Sequence, residues 1–381
     1  MKFTTDYQDI LGQMESIDPI SYGATRNYSD GTVTKLSPYI SRGVISTKQV
    51  YQSILARGFN TYHSNKLIQE LAWRDYWQQV WICKGDAINQ DLKHPQPDVE
   101  NLEMPQSIVE AKTGIDAVDS ALERFYETGY MHNHMRMYVA SMACNLGKSH
   151  WQVPAKWMYY HLLDADWASN SLSWQWVAGA NSNKKYYANQ ENINTHFYSN
   201  QKETFLDVEY EAFPSMQIPE DLKTLTSPAL KTALPGKQPM AVDSKKPTCI
   251  YNFYNLDPQW KKDLPANRIL LLEPAHFAQF PISNHTLQFV LNLSKNIPDT
   301  QVFVGSFGEL VQTYQLKEIH FKEHPLNHHY QGVEDPRDWM FSVKGYFPSF
   351  FAFWKKCKKE IPKLQEGELV PIDIETEKHT K

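Results

Sequence analysis

A change of hydrophobic period part-way along the chain limits the fold more than any other feature. Over roughly the first 215 residues, apolar positions recur every three or four residues with little β-branched alternation, the pattern of amphipathic helices. Prolines at 214, 219, 228, 235, 239 and 247 then break the pattern and predict a linker or an irregular covering segment. Beyond them come short apolar runs at 249–254, 268–272, 301–304 and 318–321. Segments of helical period, 283–297 and 307–316, separate several of these runs. That alternation predicts a small, mostly parallel, Rossmann-like α/β sheet. The expected organisation is a mostly α-helical domain over 1–213, a Pro-rich linker over 214–247 and a smaller α/β domain over 248–365. Its stretch 339–361 is expected to close as helix, and 366–381 to form a charged tail.

Composition narrows the function classes. A chain of 381 residues suffices for about two domains with sizeable cores. No apolar run approaches the ~20 residues that span a bilayer, and the opening Met1-Lys2-Phe3-Thr4-Thr5-Asp6 is mixed polar sequence rather than a leader. The cysteines at 83, 144, 249 and 357 are scattered, with no Cys-x-x-Cys pair. This argues against a disulfide framework and against a metal site, and fits a monomer in a reducing cytoplasm. A net charge of −5 excludes a broad basic coat for nucleic acid while leaving room for a local basic rim. Eight of the eleven tryptophans (73, 77, 81, 151, 157, 167, 174, 176) fall within 104 residues. The aromatic load therefore belongs to the helical part, where such clustering usually means packing.

Four segments carry candidate chemistry. Near the N-terminus, Tyr22 and Arg26 precede Gly31-Thr32-Val33-Thr34-Lys35-Leu36-Ser37-Pro38-Tyr39. Here hydroxyls and free backbone N–H groups ahead of a helix can hold phosphate. In Glu70-Leu71-Ala72-Trp73-Arg74-Asp75-Tyr76-Trp77, a helix places Glu70, Trp73, Arg74, Trp77 and Trp81 on one stripe. By itself this reads as a buried aromatic ridge with an internal Glu–Arg pair. In 131–139, Met131, Met135, Tyr138 and Val139 form a core face, while Asn133, Arg136 and Met137 project from the other side. Methionine on a polar face suits ligand contact. Within 160–177, Asp164, Asp166, Asn170, Trp174 and Trp176 crowd acids, an amide and indoles together, and Arg136 is the natural partner for Asp164.

These segments, in this order and spacing, resemble the photolyase/cryptochrome family over roughly residues 15–200. The resemblance implies FAD held in a helical domain. Tyr22, Thr32, Thr34, Leu36, Ser37, Arg74, Asn133, Arg136, Asp164, Asp166 and Asn170 would contact the cofactor. Asn170 would face the flavin N5, where repair enzymes of the family carry an amide. Glu70, Trp73, Asn133, Met137 and Trp176 match the set that cradles a cyclobutane pyrimidine dimer, with His132 and His134 one residue off the register of (6-4) enzymes. The implied function is light-driven repair of dimer-containing DNA, single- or double-stranded, by electron transfer from reduced FAD. Alternatives are a cryptochrome-like photoreceptor, or a flavoprotein whose cavity binds a partner. Trp174 and Trp151 align with the first two members of the family's electron relay, and the surface tryptophan's place falls near Asp98. One extra residue lies between the Gly-Thr and Leu-Ser-Pro-Tyr parts of the phosphate motif. The family's α/β antenna domain precedes its flavin domain, whereas here an α/β segment follows. That segment reads as a structural cap and identifies no antenna chromophore.

Overall fold

The computed structural model describes residues 2–361; the expected charged tail, 366–381, lies outside them. The first half is a helical body built from α1 (Tyr7–Glu15), α2 (Pro19–Thr25), α3 (Ser37–Ser41), α4 (Thr47–Ala56), α5 (Asn65–Lys84), α6 (Gln106–Val109), α7 (Asp116–Thr128), α8 (Asn133–Ser141), α9 (Gln152–His161), α10 (Trp167–Ala178) and α11 (Gln190–Phe197). Local chemistry sets several ends. Asp18 accepts from Ile20 N and Ser21 N ahead of Pro19 at the first turn of α2, Ser46 and Gln49 form a capping box on α4, and Asp166 caps α10. Helix α10 is apolar on nearly all sides and lies at the centre, packed on α5, α8 and α9.

The second half holds an all-parallel sheet. A two-residue antiparallel ladder, β1 (Met104–Pro105) with β2 (Leu225–Thr226), precedes it in the chain. The sheet consists of β3 (Thr248–Tyr251), β4 (Asn267–Leu272), β5 (Gln301–Val304), β6 (Ile319–Lys322) and β7 (Val333–Asp335), in the order β5-β4-β3-β6-β7. Helices α12 (Pro274–Gln279), α13 (Asn284–Ser294) and α14 (Phe307–Tyr314) connect the strands, and α15 (Phe350–Cys357) follows. The strand order reverses at β3, the doubly wound arrangement.

Three expectations need correction. Residues 214–247 are a strap rather than a free linker: β2 pairs with β1, Leu222 is fully buried, and Tyr160 Oη donates to Lys231 O at 3.2 Å. The sheet does not form a separate core. Cys249, Tyr251, Leu270, Leu272 and Val304 join the core of the helical body, while Ile250, Ile269, Leu271 and Phe321 face the other way, towards α14. Strand alternation thus welds the sheet to the helices through one face. The stretch 339–361 is mostly irregular, with helix only at Phe350–Cys357, because Gly345 takes a positive φ of 97° and Pro348 ends the run before the Ser349 cap.

The weld is tightest after α3. Arg42 is fully buried with its guanidinium 3.5 Å above the Phe253 ring, and it donates to Ala165 O. Leu256 N donates back to Arg42 O at 2.9 Å. Gly43 has φ +64°, and a Cβ there would meet Tyr254 O at 2.4 Å. Gly43→Ala is therefore expected to destabilise the protein by about 2 kcal/mol or more, from left-handed strain plus a backbone clash. Thermal unfolding checks this, with an unchanged midpoint as the contrary result.

Candidate functional site

Helices α2, α5, α8 and α10 and the turn before α3 enclose a cavity of about 490 Å³, within the ~300–1,000 Å³ typical of sites for organic ligands. At its base the Asp164 carboxylate, with 2% of its side chain exposed, accepts from Arg136 Nη2 at 3.0 and 3.1 Å. Arg74 Nη2 lies 3.9 Å away on the other side and donates through Nη1 to Ser41 Oγ at 3.0 Å. Burial alone would raise the Asp164 pKa, but Arg136 and Arg74 outweigh it and hold the carboxyl below its usual value. The expected Arg136–Asp164 pair is therefore present, and Arg74 completes a fixed cation–anion–cation arrangement.

Other expected cofactor contacts divide. Tyr22, Thr34, Ser37, Asn133 and Asn170 line the cavity. The Asn170 amide donates to Ala155 O at 2.8 Å, so its carbonyl oxygen is left to accept an N–H from a ligand. Asp166 also lines the cavity, but its oxygens accept from Ser169 N (2.7 Å) and Gln78 Nε2 (2.6 Å), a helix cap and a tie to α5. Thr32 and Leu36 do not reach the cavity. Thr32 is exposed with its N–H on Thr25 Oγ1 (2.9 Å), and Leu36 is buried in the core. The extra residue in this motif turns Val33, Thr34 and Lys35 inward instead, with Lys35 at φ 53°. Lys35 supplies a positive charge that the hydroxyl pattern did not single out.

The upper wall carries Glu70, Trp73, Met137 and Trp176, again as expected together. Glu70 does not pair with Arg74. Its Oε1 lies 3.9 Å from Arg26 Nε, and burial pushes its pKa up, with Arg26, Lys66 and Arg74 opposing. Trp176 is 40% exposed at the mouth. Trp73 is half-buried and stacks face to face on Phe350 of α15, centroids 3.8 Å apart. Trp81, expected on the same stripe, is buried against His324 and Tyr254 beside the sheet instead. The α8 wheel holds, since Met131, Met135, Tyr138 and Val139 are buried. His134 nonetheless lines the cavity, where burial holds its pKa down at about 4 and keeps it neutral at pH 7. Its ring contacts Asn27 O (3.1 Å), an anchor 107 residues away that local spacing does not reveal.

Trp174 lines the cavity and is 3% exposed. Trp151 is fully buried, donates to Asp91 (2.8 Å) and lies 6.5 Å from Trp167, which in turn lies 5.5 Å from Tyr159. Trp157 packs elsewhere, against Phe125 and His161. Asp98 pairs with Lys185 at 2.9 Å.

Residues 67–205 match the family model of the FAD binding domain of DNA photolyase. The chain belongs to the photolyase/cryptochrome family. It is 28% identical over 176 residues to a deoxyribodipyrimidine photo-lyase of Alkalihalophilus pseudofirmus, covering 44% of this chain and 36% of that relative. It is 35% identical over 173 residues to a cryptochrome DASH of Danio rerio, covering 42% and 32%. A Synechocystis cryptochrome structure aligns with a TM-score of 0.45 at 24% identity, over 51% of this chain and 44% of that one. The chain thus spans about a third of the length of the curated relatives it matches. The family cofactor is FAD, and the residues present fit it. The Asp164–Arg136–Arg74 set gives a fixed polar base, Asn170 offers an acceptor, and Ser37, Thr34 and Lys35 offer donors for phosphate. Among the described residues no group of three or more metal-ligating side chains converges, and no helix is long and apolar enough to cross a membrane.

Proposed function

We propose that this protein is a light-driven flavoprotein that splits cyclobutane pyrimidine dimers in DNA, a deoxyribodipyrimidine photolyase acting as a cytoplasmic monomer. One observation carries the reading: Glu70, Trp73, Asn133, Met137 and Trp176 line the same cavity as the Asp164–Arg136 pair. Bound FAD supplies the light-excited electron. The chain's own residues hold and polarise the lesion. Trp73 and Trp176 offer faces on which flipped-out bases stack, and Met137 fills the apolar gap between them. Glu70, its pKa raised, is disposed to donate a hydrogen bond to a pyrimidine carbonyl where negative charge develops. Asn133 adds a neutral donor and acceptor. The free state of all four cysteines, 83, 144, 249 and 357, fits a reducing compartment.

In this reading Glu70→Ala lowers the yield of dimer splitting per absorbed photon while FAD content stays near that of the unmodified protein. Glu70→Gln, which keeps a donor, restores part of the yield. Trp73→Ala chiefly weakens dimer binding, by ~1–3 kcal/mol. Quantum yields and binding isotherms on dimer-containing oligonucleotides check both, and a Glu70→Ala protein with unchanged yield overturns the assignment. A second reading, a cryptochrome-like photoreceptor, draws on the Phe350 ring that already occupies one face of Trp73. It gains if lesion binding is absent while flavin photochemistry is normal.

A further inference from the structure

Helix α15 lies outside the region that matches the family model, yet it reaches the wall of the cavity. Phe350, Phe353, Trp354 and Cys357 are buried, and the Phe350 ring stacks on Trp73 at 3.8 Å and 11°. The opposite face is of another kind. Phe351 is 68% exposed, and its ring lies 5.5 Å from that of Phe350, one ring further out from Trp73. Lys355 is exposed one turn on, and Lys358, also exposed, continues in helical conformation as the C-cap. Positions i, i+4 and i+7 fall on one stripe. Lys356 and Lys359 flank that stripe, both exposed, so four of the five residues 355–359 are lysine in a chain whose net charge is −5.

We propose that this face of α15 is a nucleic-acid contact beside the cavity mouth, with Phe351 stacking on a base and Lys355 and Lys358 pairing with backbone phosphates. The proposal rests on the DNA-repair reading and names the surface that would hold the strand next to the lesion. The charge argues for the occupant. A lone exposed aromatic next to concentrated lysine, on a protein acidic overall, complements a polyanion with stackable rings. Phe350 links the two, since it holds Trp73 from behind while its neighbour faces solvent.

The test uses an undamaged thymine oligonucleotide and the intact flavoprotein, so that its outcome does not depend on splitting. Fluorescence anisotropy is measured over a range of salt for the unmodified protein, Phe351→Ala and the double variant Lys355→Gln/Lys358→Gln. FAD content and melting temperature should be unchanged, because all three side chains are exposed. The double variant should flatten the dependence of log affinity on log salt by about 0.7 per lysine removed. Phe351→Ala should weaken binding by about 5- to 150-fold, the equivalent of one lost stacking contact. Affinities within twofold of the unmodified protein and an unchanged salt slope overturn the proposal. So does loss of retention on phosphatidylserine vesicles in the same variants without loss of oligonucleotide binding, which would assign the face to a membrane. A protein that repairs no dimer but loses oligonucleotide binding in the variants retains this surface and loses only the repair reading.

Discussion

Asp164→Asn should release most of the flavin and lower stability by about 3 kcal/mol. The carboxylate is buried and shared between Arg136, at 3.0 Å, and Arg74, at 3.9 Å. An amide leaves both guanidinium groups without a counter-charge at the base of the cavity. Breaking a buried pair costs about 3–5 kcal/mol, and the partial exposure of Arg136 and Arg74 puts this case at the lower end. The cofactor loses twice: the base no longer holds its shape, and the freed guanidiniums are able to turn into the space the ring system would take. Because Arg136 and Arg74 depress the folded-state pKa of Asp164 against the effect of burial, its contribution is complete above the unfolded value of about 3.9. It disappears as pH falls through the lower folded value. The difference in melting temperature between parent and variant should therefore be full at pH 7 and close in strong acid. Full flavin retention by the variant, or a difference that persists below both values, contradicts this account.

Trp174→Phe should nearly abolish photoreduction of oxidised flavin in the presence of thiol. Trp174 is the electron-relay candidate that lines the cavity, and phenylalanine keeps the packing while removing the oxidisable ring. Chemically reduced variant should still split dimers, which separates electron entry from repair. Onward from Trp151, the aromatic neighbour is Trp167 at 6.5 Å, and Trp167 is almost fully buried. Trp167→Phe should accordingly slow photoreduction if electrons leave Trp151 by that route. Transient absorption after a blue flash checks both, and unchanged photoreduction in Trp174→Phe removes Trp174 from the relay.

Features that depend on local pattern were legible in the sequence. The two faces of α8 follow from helical period, the expected strands fall within a few residues of those observed, and a cation four turns upstream marks the partner of Asp164. What the pattern hid depends on distant contacts or on small shifts. One extra residue in the phosphate motif moved the inward-facing set from Thr32 and Leu36 to Val33, Thr34 and Lys35. Glu70 takes Arg26 of the segment after α2 rather than Arg74 one turn away, because Arg74 is already held by Asp164 and Ser41. Six prolines read as a linker, yet the chain there is pinned by a ladder to β1 and by Thr232 Oγ1 donating to Ile282 O at 3.0 Å. The edge strand Val333–Asp335 carries three residues, two of them exposed, too short for a period to register. The Phe350–Trp73 stack joins residues 277 positions apart (350 − 73) and brings the end of the described chain to the site.

The most direct measurement illuminates the fully reduced protein with blue light in the presence of DNA bearing either cyclobutane pyrimidine dimers or (6-4) products, and follows loss of each lesion. The Glu70, Trp73, Asn133, Met137 and Trp176 wall leads us to expect light-dependent loss of the dimers alone. Loss of (6-4) products alone, or loss of neither lesion by a protein that photoreduces its flavin normally, would contradict the account.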